Sequence, residues 1–510
     1  MDAKTTATQG LTTEGATTEG ATTKGATTEG RPASANNPTG TRPRALWTWI
    51  AASVAVFMVS MDNLVVTNAL PVIRVKLGAG LEGLEWTVNA YTLTFAVFLL
   101  TGAALGDRFG RRRLFAIGLT VFTLASAAAA LAPDIGTLVA ARAVQGLGGA
   151  IAMPLTLTLL ASVVPAERRG LAFGVWGATG GLGVALGPVI GGAITQYSSW
   201  QWIFWVNVPI GLLLLPVLFG VRESRGGAGR LDPIGTILVT AGLFGIVFGV
   251  VRGNGHGWTS PQVLTGLIGG GLLVIAFVAW ERRAPAPMVP LSLFRERGFA
   301  LSNAVSLVMA FGMFGAVFLS AQFLQTVQHY SPLEAGVRTL PWTAMPVVAA
   351  PIAGLLSDRI GARRIVAFGL ALQTAGITWL AVVSTPDVAY GRLVPAFVLG
   401  GAGMGLFFAP IARLTLDFAP AALSGVASGT SNALRQLGTV LGVAVLSAIF
   451  SAVGGFTSGA SFVTGLRAAQ VAGAVALGVG MLLALAIPAR GRTTAPATEA
   501  EVGEPALVGA

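Results

Sequence analysis

Fourteen apolar runs, separated by short polar connections, fill most of this 510-residue chain. A run of about 20 residues at about 1.5 Å rise per residue crosses a hydrocarbon layer about 30 Å thick as a helix. Only helices and closed barrels satisfy their backbone in lipid, and long runs without alternation are helices. The pattern therefore predicts an all-α integral membrane protein. Composition agrees: 54% of residues are hydrophobic and 10% charged, where a soluble domain carries about 25% charged.

The same composition removes several functions. Cysteine is absent, which excludes disulfides, thiolate metal sites and thiol nucleophiles. His256 and His329 fall in short connections between apolar runs and form no zinc pattern. The net charge of +11 comes from arginines scattered between the spans, unlike the clustered basic and aromatic face that binds nucleic acid. None of Lys4, Lys24 and Lys76 follows a phosphate-binding glycine loop, so ATP-driven transport is not expected. With no nucleophile and base, metal cluster or cofactor loop, the chain reads as neither an enzyme nor a cofactor binder.

Two polar knots echo each other across 251 positions: Leu105-Gly106-Asp107-Arg108-Phe109-Gly110-Arg111-Arg112-Arg113 and Leu356-Ser357-Asp358-Arg359-Ile360-Gly361-Ala362-Arg363-Arg364. At an offset of 255, Gly146, Gly148, Gly183 and Gly187 map to Gly401, Gly403, Gly438 and Gly442. Spans two to five thus correspond to spans ten to thirteen. The shift is even, so both copies point the same way across the membrane. This is the relation between the six-helix halves of major facilitator transporters. The expected organisation is a six-helix bundle over 46–221, an inserted helix pair over 222–298 and a second six-helix bundle over 299–488. Flanking tails at 1–45 and 489–510 have too little apolar surface to order themselves. Lysine and arginine concentrate in the tails and the even-numbered connections, which predicts cytoplasmic termini in a multi-pass membrane protein.

Charges inside the spans mark the chemistry. Asp62, in span one, lies about 22 Å from the start of its helix, at nearly the depth of Arg142 in span four. It reads as the one acid well inside a span. Ionisable groups in the bilayer interior face a cavity or a partner, so a proton-coupling pair is expected, against the alternative of a structural ion pair. Arg142 aligns with Phe397 in the other copy, a departure from the repeat that favours function. The knots predict gates built from Asp107, Arg108, Gly110, Arg111 and Arg112, and from Asp358, Arg359 and Gly361. Arg435, deep in span thirteen, reads as either an anion contact or a packing element.

Span five carries Gly180, Gly183, Gly187 and Gly191 on one face, with Pro188 beside them. Such a face lets another helix approach closely. Candidate substrate contacts are Asn89, Tyr91, Gln145, Trp176, Phe311, Gln322, Asn432 and Arg435. Phe314, Trp342, Phe407 and Phe408 are further aromatics of the spans. Few fixed charges and many apolar faces suit bulky hydrophobic ligands.

Taken together, Met61-Asp62 through Ala69-Leu70-Pro71, the Asp107–Arg113 knot, Arg142 to Gly146, Gly183 to Gly192 and Trp202 to Pro209 resemble the fourteen-span drug:proton antiporters of the major facilitator superfamily, the EmrB/QacA-like exporters. The likeness covers roughly residues 46 to 488. It implies that Asp62 and Arg142 belong to the proton-coupling apparatus, that the Asp107 knot gates the cytoplasmic side and that the glycine–proline helix is the antiporter helix. Two positions depart from the family pattern: Ala103 stands where the knot usually begins with glycine, and Thr67 where span one usually has asparagine. The expected activity is proton-coupled efflux of hydrophobic drugs or antibiotics by a monomer in the cell membrane, drawing on the proton gradient. The rival on the same fold is a proton-coupled importer or symporter. A proton-pumping respiratory subunit would need mid-membrane lysines, which this chain lacks.

Overall fold

The computed structural model describes residues 42–164, 169–225, 231–285, 287–420 and 423–488. The expected tails lie outside the described residues, except that 42–45 belong to the first helix. Among the described residues, fourteen helices or helix groups are long and apolar enough to cross a membrane. The first five spans are α1 (Arg42–Leu77), α2 (Leu81–Phe109), α3 (Arg111–Ala130), α4 (Ile135–Val163) and α5 (Arg169–Tyr197). Span six is broken into α6 (Trp202–Trp205) and α7 (Asn207–Val217). The inserted pair is α8 (Pro233–His256) and a hairpin partner made of α9 (Pro261–Leu264), a π turn and α10 (Gly270–Glu281). Span nine is α11 (Arg297–Thr326). Span ten comes in three pieces, α12 (Pro332–Arg338), α13 (Leu340–Thr343) and α14 (Met345–Ile360), followed by α15 (Ala362–Val383), α16 (Tyr390–Asp417), α17 (Ser424–Val453) and α18 (Gly459–Ala486).

Several helices run past the apolar runs that reveal them. α2 begins at Leu81, before its apolar run, because Glu82 and Glu85 interrupt hydropathy without interrupting the backbone ladder. Span ten breaks where prolines recur: Pro332, Pro341 and Pro346 each occupy the first turn of a piece. Proline is tolerated there, since the missing N–H has no intrahelical partner, and elsewhere it interrupts the ladder.

The repeat is visible in how helices pair. α1 packs on α5, α2 and α3 pack on α4, and α3 meets α7; in the second copy α11 packs on α17, α14 and α15 on α16, and α15 on α18. Glycines make these approaches close. A Cβ at Gly148 would meet the backbone of α3, and one at Gly403 would meet the backbone of α15. The fold is two parallel six-helix bundles with an inserted helix pair. That pair packs on α2 and α17, one helix from each bundle.

Candidate transport site

The Asp62 side chain leaves α1 on the face turned into the first bundle. Arg142 Nη1 of α4 donates to Asp62 Oδ2 at 2.5 Å. Gln145 Nε2 and Asn207 Nδ2 donate to Oδ1 at 2.9 and 3.0 Å. Both charged side chains are fully buried. Arg142 also donates to the Thr87 carbonyl of α2 and to Gln145 Oε1, and its guanidinium lies 4.2 Å from the Tyr91 ring centroid. Ser126 of α3 accepts from Gln145 and Asn207 and donates to the Phe204 carbonyl. A buried ion pair is favoured when further hydrogen bonds satisfy its atoms; here the carboxylate has three donors from two helices, while Arg142 Nη2 has no hydrogen-bond partner among the described residues. The break between α6 and α7 puts Asn207 at the start of α7, within reach of Asp62. Sequence reasoning paired Asp62 with Arg142 by depth; it missed Asn207 and Ser126, although Asn207 lies inside the Trp202–Pro209 motif.

One turn further on, the opposite face of α1 serves another purpose. Leu64, Thr67 and Asn68 line an apolar cavity of about 50 Å³ between the bundles, together with Pro188 of α5, Phe314 of α11, Trp342 of α13, and Phe397 and Met404 of α16. Its far end, opposite the two knots, is sealed. Asn68 Nδ2 donates to the carbonyls of Pro188 and Pro332 at 3.0 and 3.2 Å, and Gln325 donates to the Asn68 carbonyl at 2.7 Å. Gly192 and Gly336 let α5 and α12 cross there with backbone against backbone. Asn68, displaced by one from the family's usual position, thus joins three helices at the seal.

The glycine face of α5 lies on α1. A Cβ at Gly183 would stand 2.7 Å from the Phe57 carbonyl, at Gly187 2.9 Å from Leu64 Cβ, and at Gly191 2.9 Å from the Val65 carbonyl. Gly438 and Gly442 of α17 press on the Leu307 and Phe311 carbonyls of α11 in the same way. Pro188 turns its carbonyl to Asn68.

The two knots share a backbone device. Gly110 ends α2 and starts α3 at φ +110°, and Gly361 ends α14 and starts α15 at φ +91°. L side chains rarely adopt this region. Arg111 pairs with Asp107 at 2.8 Å, and Arg112 Nη1 donates to the Val221 carbonyl behind α7. Glu223, missed by the sequence reading, accepts from the backbone N–H groups of Arg112 and Arg113 at 3.0 and 3.2 Å and so caps α3. At the matching position Arg363 Nη1 donates to the Ile487 carbonyl behind α18 at 2.9 Å. Each knot thus ties down the end of its bundle's last helix. Arg108 lies near the Phe109 ring, Arg359 is exposed, and the Asp358 side chain lies outside the described residues.

Residues 52–443 match the Major Facilitator Superfamily. The chain belongs to that family. It is 36% identical over 410 residues to the multidrug resistance protein Stp of Mycobacterium tuberculosis (strain CDC 1551 / Oshkosh), covering 80% of this chain and 76% of that protein. It is 37% identical over 477 residues to the cephamycin export protein CmcT of Amycolatopsis lactamdurans, covering 91% and 97%. Among solved structures, the inward-open xylose transporter XylE from E. coli superposes with a TM-score of 0.61 at 15% identity, covering 88% of this chain and 98% of that one. This major facilitator protein is therefore a multi-pass membrane transporter of small molecules and not an enzyme.

None of the eight expected substrate contacts of the transporter is among the residues lining the cavity. Gln145 and Tyr91 belong to the Asp62 cluster. Trp176 Nε1 bonds to Thr156 Oγ1 at 3.2 Å, and Phe311 carries the carbonyl against which Gly442 packs. Asn432 Oδ1 accepts from Arg435 at 2.5 Å, and that guanidinium lies 5.4 Å from the Phe408 ring centroid. Asn89 and Gln322 are fully buried with side-chain atoms lacking hydrogen-bond partners among the described residues. Phe314 and Trp342 do line the cavity, whereas Phe407 and Phe408 do not. Which way an aromatic faces depends on helix rotation, which composition does not carry. Two further acids are buried near the ends of their spans: Glu85 of α2 and Glu281 of α10, each 3% exposed.

Proposed function

We propose that this transporter exports hydrophobic drugs or antibiotics in exchange for protons, with the driving proton bound and released at Asp62. The observation that carries the reading is the double use of α1. On one face Asp62 ties the helix to α4 and α7; six residues on, Asn68 latches the far end. Ionised, the carboxylate holds three donors. A proton on it removes the charge that Arg142 and Asn207 address, and leaves the guanidinium to Gln145 and the Thr87 carbonyl. α1 is then free to move along the glycine face of α5, where few side chains interlock. Movement of α1 shifts Leu64, Thr67 and Asn68 at once, so the cavity lining and the latch respond to the same event. A coupling of about 1–3 kcal/mol between two such sites suffices to change an affinity 5- to 150-fold.

The substrate class follows from the lining. Phe314, Trp342, Phe397 and Met404 offer apolar area, while Thr67 and Asn68 offer polar atoms for orientation. A drug-sized ligand needs about 300–1,000 Å³, so the cavity seen here is a contracted state that must widen. The export named for the Amycolatopsis lactamdurans relative favours outward over inward transport. The distribution of arginines supports placing both termini in the cytoplasm.

Everted vesicles loaded with protons test this. Addition of a transported dye or antibiotic should release stored protons from vesicles carrying the wild-type chain. Asp62→Asn should abolish that release while inserting normally. Drug accumulation against a gradient by Asp62→Asn would remove Asp62 from the mechanism.

A further inference from the structure

Glu85 is a buried charge that this scheme leaves unused. It lies one turn inside the far end of α2, and its Oε2 has no hydrogen-bond partner among the described residues. One turn along the same face, Asn89 is fully buried with both amide atoms equally idle. Across the seam the hydroxyl of Ser447 of α17, also fully buried, faces the Glu85 carboxyl and has no other partner among the described residues. Glu281, the other acid at 3% exposure, differs: it accepts from the backbone N–H groups of Met288 and Val289.

The charges around Glu85 have other partners. Arg252 of α8 pairs with Glu82 at 2.9 Å and donates to Gln262. Arg142 of α4 is held by Asp62, and Asp134 caps its own helix through Thr137. On α17 the group facing Glu85 is the Ser447 hydroxyl. Asn254 of α8 donates to the Ala448 carbonyl, so the inserted helix is fastened to α2 and to α17 on either side of the Glu85 carboxyl. An ionised carboxylate shut into this seam, with one hydroxyl facing it and no cation, costs far more than a neutral carboxyl in the same place.

We propose that Glu85 is a second proton-binding site, loaded while the far end is open to water and enclosed as a neutral acid when α2 closes on α17. The added proton gives Glu85 an O–H to donate to idle Ser447 Oγ or Asn89 Oδ1. Opening of the far end returns the carboxyl to water and releases the proton there. The inference rests on the two bundles parting at the far end during transport, and not on Asp62.

The absence of cysteine gives reporter thiols no background. Ala444→Cys, fully buried in the α2–α17 seam, reports its opening to a membrane-impermeant maleimide. Ser199→Cys, exposed between α5 and α6, corrects for the reagent's own pH response. The corrected rate should rise with pH, by up to about tenfold per unit where one proton is released. Glu85→Gln should give a low rate at every pH, and Glu85→Asp should keep the profile. An unchanged profile in Glu85→Gln overturns the proposal, as does a response to sodium at fixed pH. Run in parallel, Asp62→Asn separates the two sites: a profile lost there and kept in Glu85→Gln removes Glu85 alone, while proton release surviving in Asp62→Asn vesicles removes Asp62 alone.

Discussion

The two bundles put different chemistry on one frame. Gly146 packs on the Tyr91 carbonyl and Gly401 on the Trp342 carbonyl, so Tyr91 and Trp342 are equivalent positions. Over Tyr91 lies the Arg142 guanidinium at 4.2 Å; beside Trp342, at 5.7 Å, lies Phe397, which occupies the Arg142 position of the repeat. The glycine contacts at Phe57 and Leu307, and at Met61 and Phe311, align Asp62 with Gly312, where a Cβ would meet the Gly473 carbonyl of α18. The first bundle fills this place with a chargeable group. The second closes helix on helix. Duplication thus left one bundle with a buried ion pair at its centre and the other with an apolar wall of the cavity.

This contrast is most easily broken at Arg142. Arg142→Ala leaves a buried carboxylate without its cation and should cost about 3–5 kcal/mol, seen as loss of folded protein in a thermal unfolding assay. Phe397→Ala should cost a similar amount, about 3–5 kcal/mol, by opening a cavity. The two differ in rescue: adding Asp62→Asn should recover much of the first loss and none of the second. Equal behaviour would show that the ion pair is ordinary packing.

Smaller effects sharpen the comparison at the glycine seams. Overpacking costs about 1–3 kcal/mol, and Gly442→Ala should lie above Gly187→Ala, because its Cβ would strike the Phe311 backbone whereas that at Gly187 first meets the Leu64 side chain. A reversed order in melting temperature would mean that α11 yields more readily than α1. The smallest change concerns the knots. Arg112→Gln and Arg363→Gln each remove a bond to a carbonyl, about 0.5–1.5 kcal/mol. Arg112→Gln should be the milder of the two, since Glu223 still caps α3.

Much of this was legible in the chain. Apolar runs give the spans because lipid leaves the backbone no other option, and the echoing knots give the repeat because Gly110 and Gly361 need the same backbone geometry. Asp62 and Arg142 stood out since charge in hydrocarbon is rare. Their neighbours did not: Asn207 and Ser126 become ligands of the carboxylate only through packing of α3 and α7. Glu85 was hidden because it stands at the edge of the second apolar run, with Glu82 three residues away. The cavity lining was the least legible, because it depends on the rotation of each helix within its bundle.

The arginine ties behind α7 and α18 carry a last implication. Arg112 and Arg363 each clasp the trailing edge of their own bundle, so each bundle behaves as a buckled belt. A tug on any strap of that belt is shared around its circumference, and an inhibitor wedged beneath either buckle would stiffen the whole of one side at a distance from the cavity between the bundles.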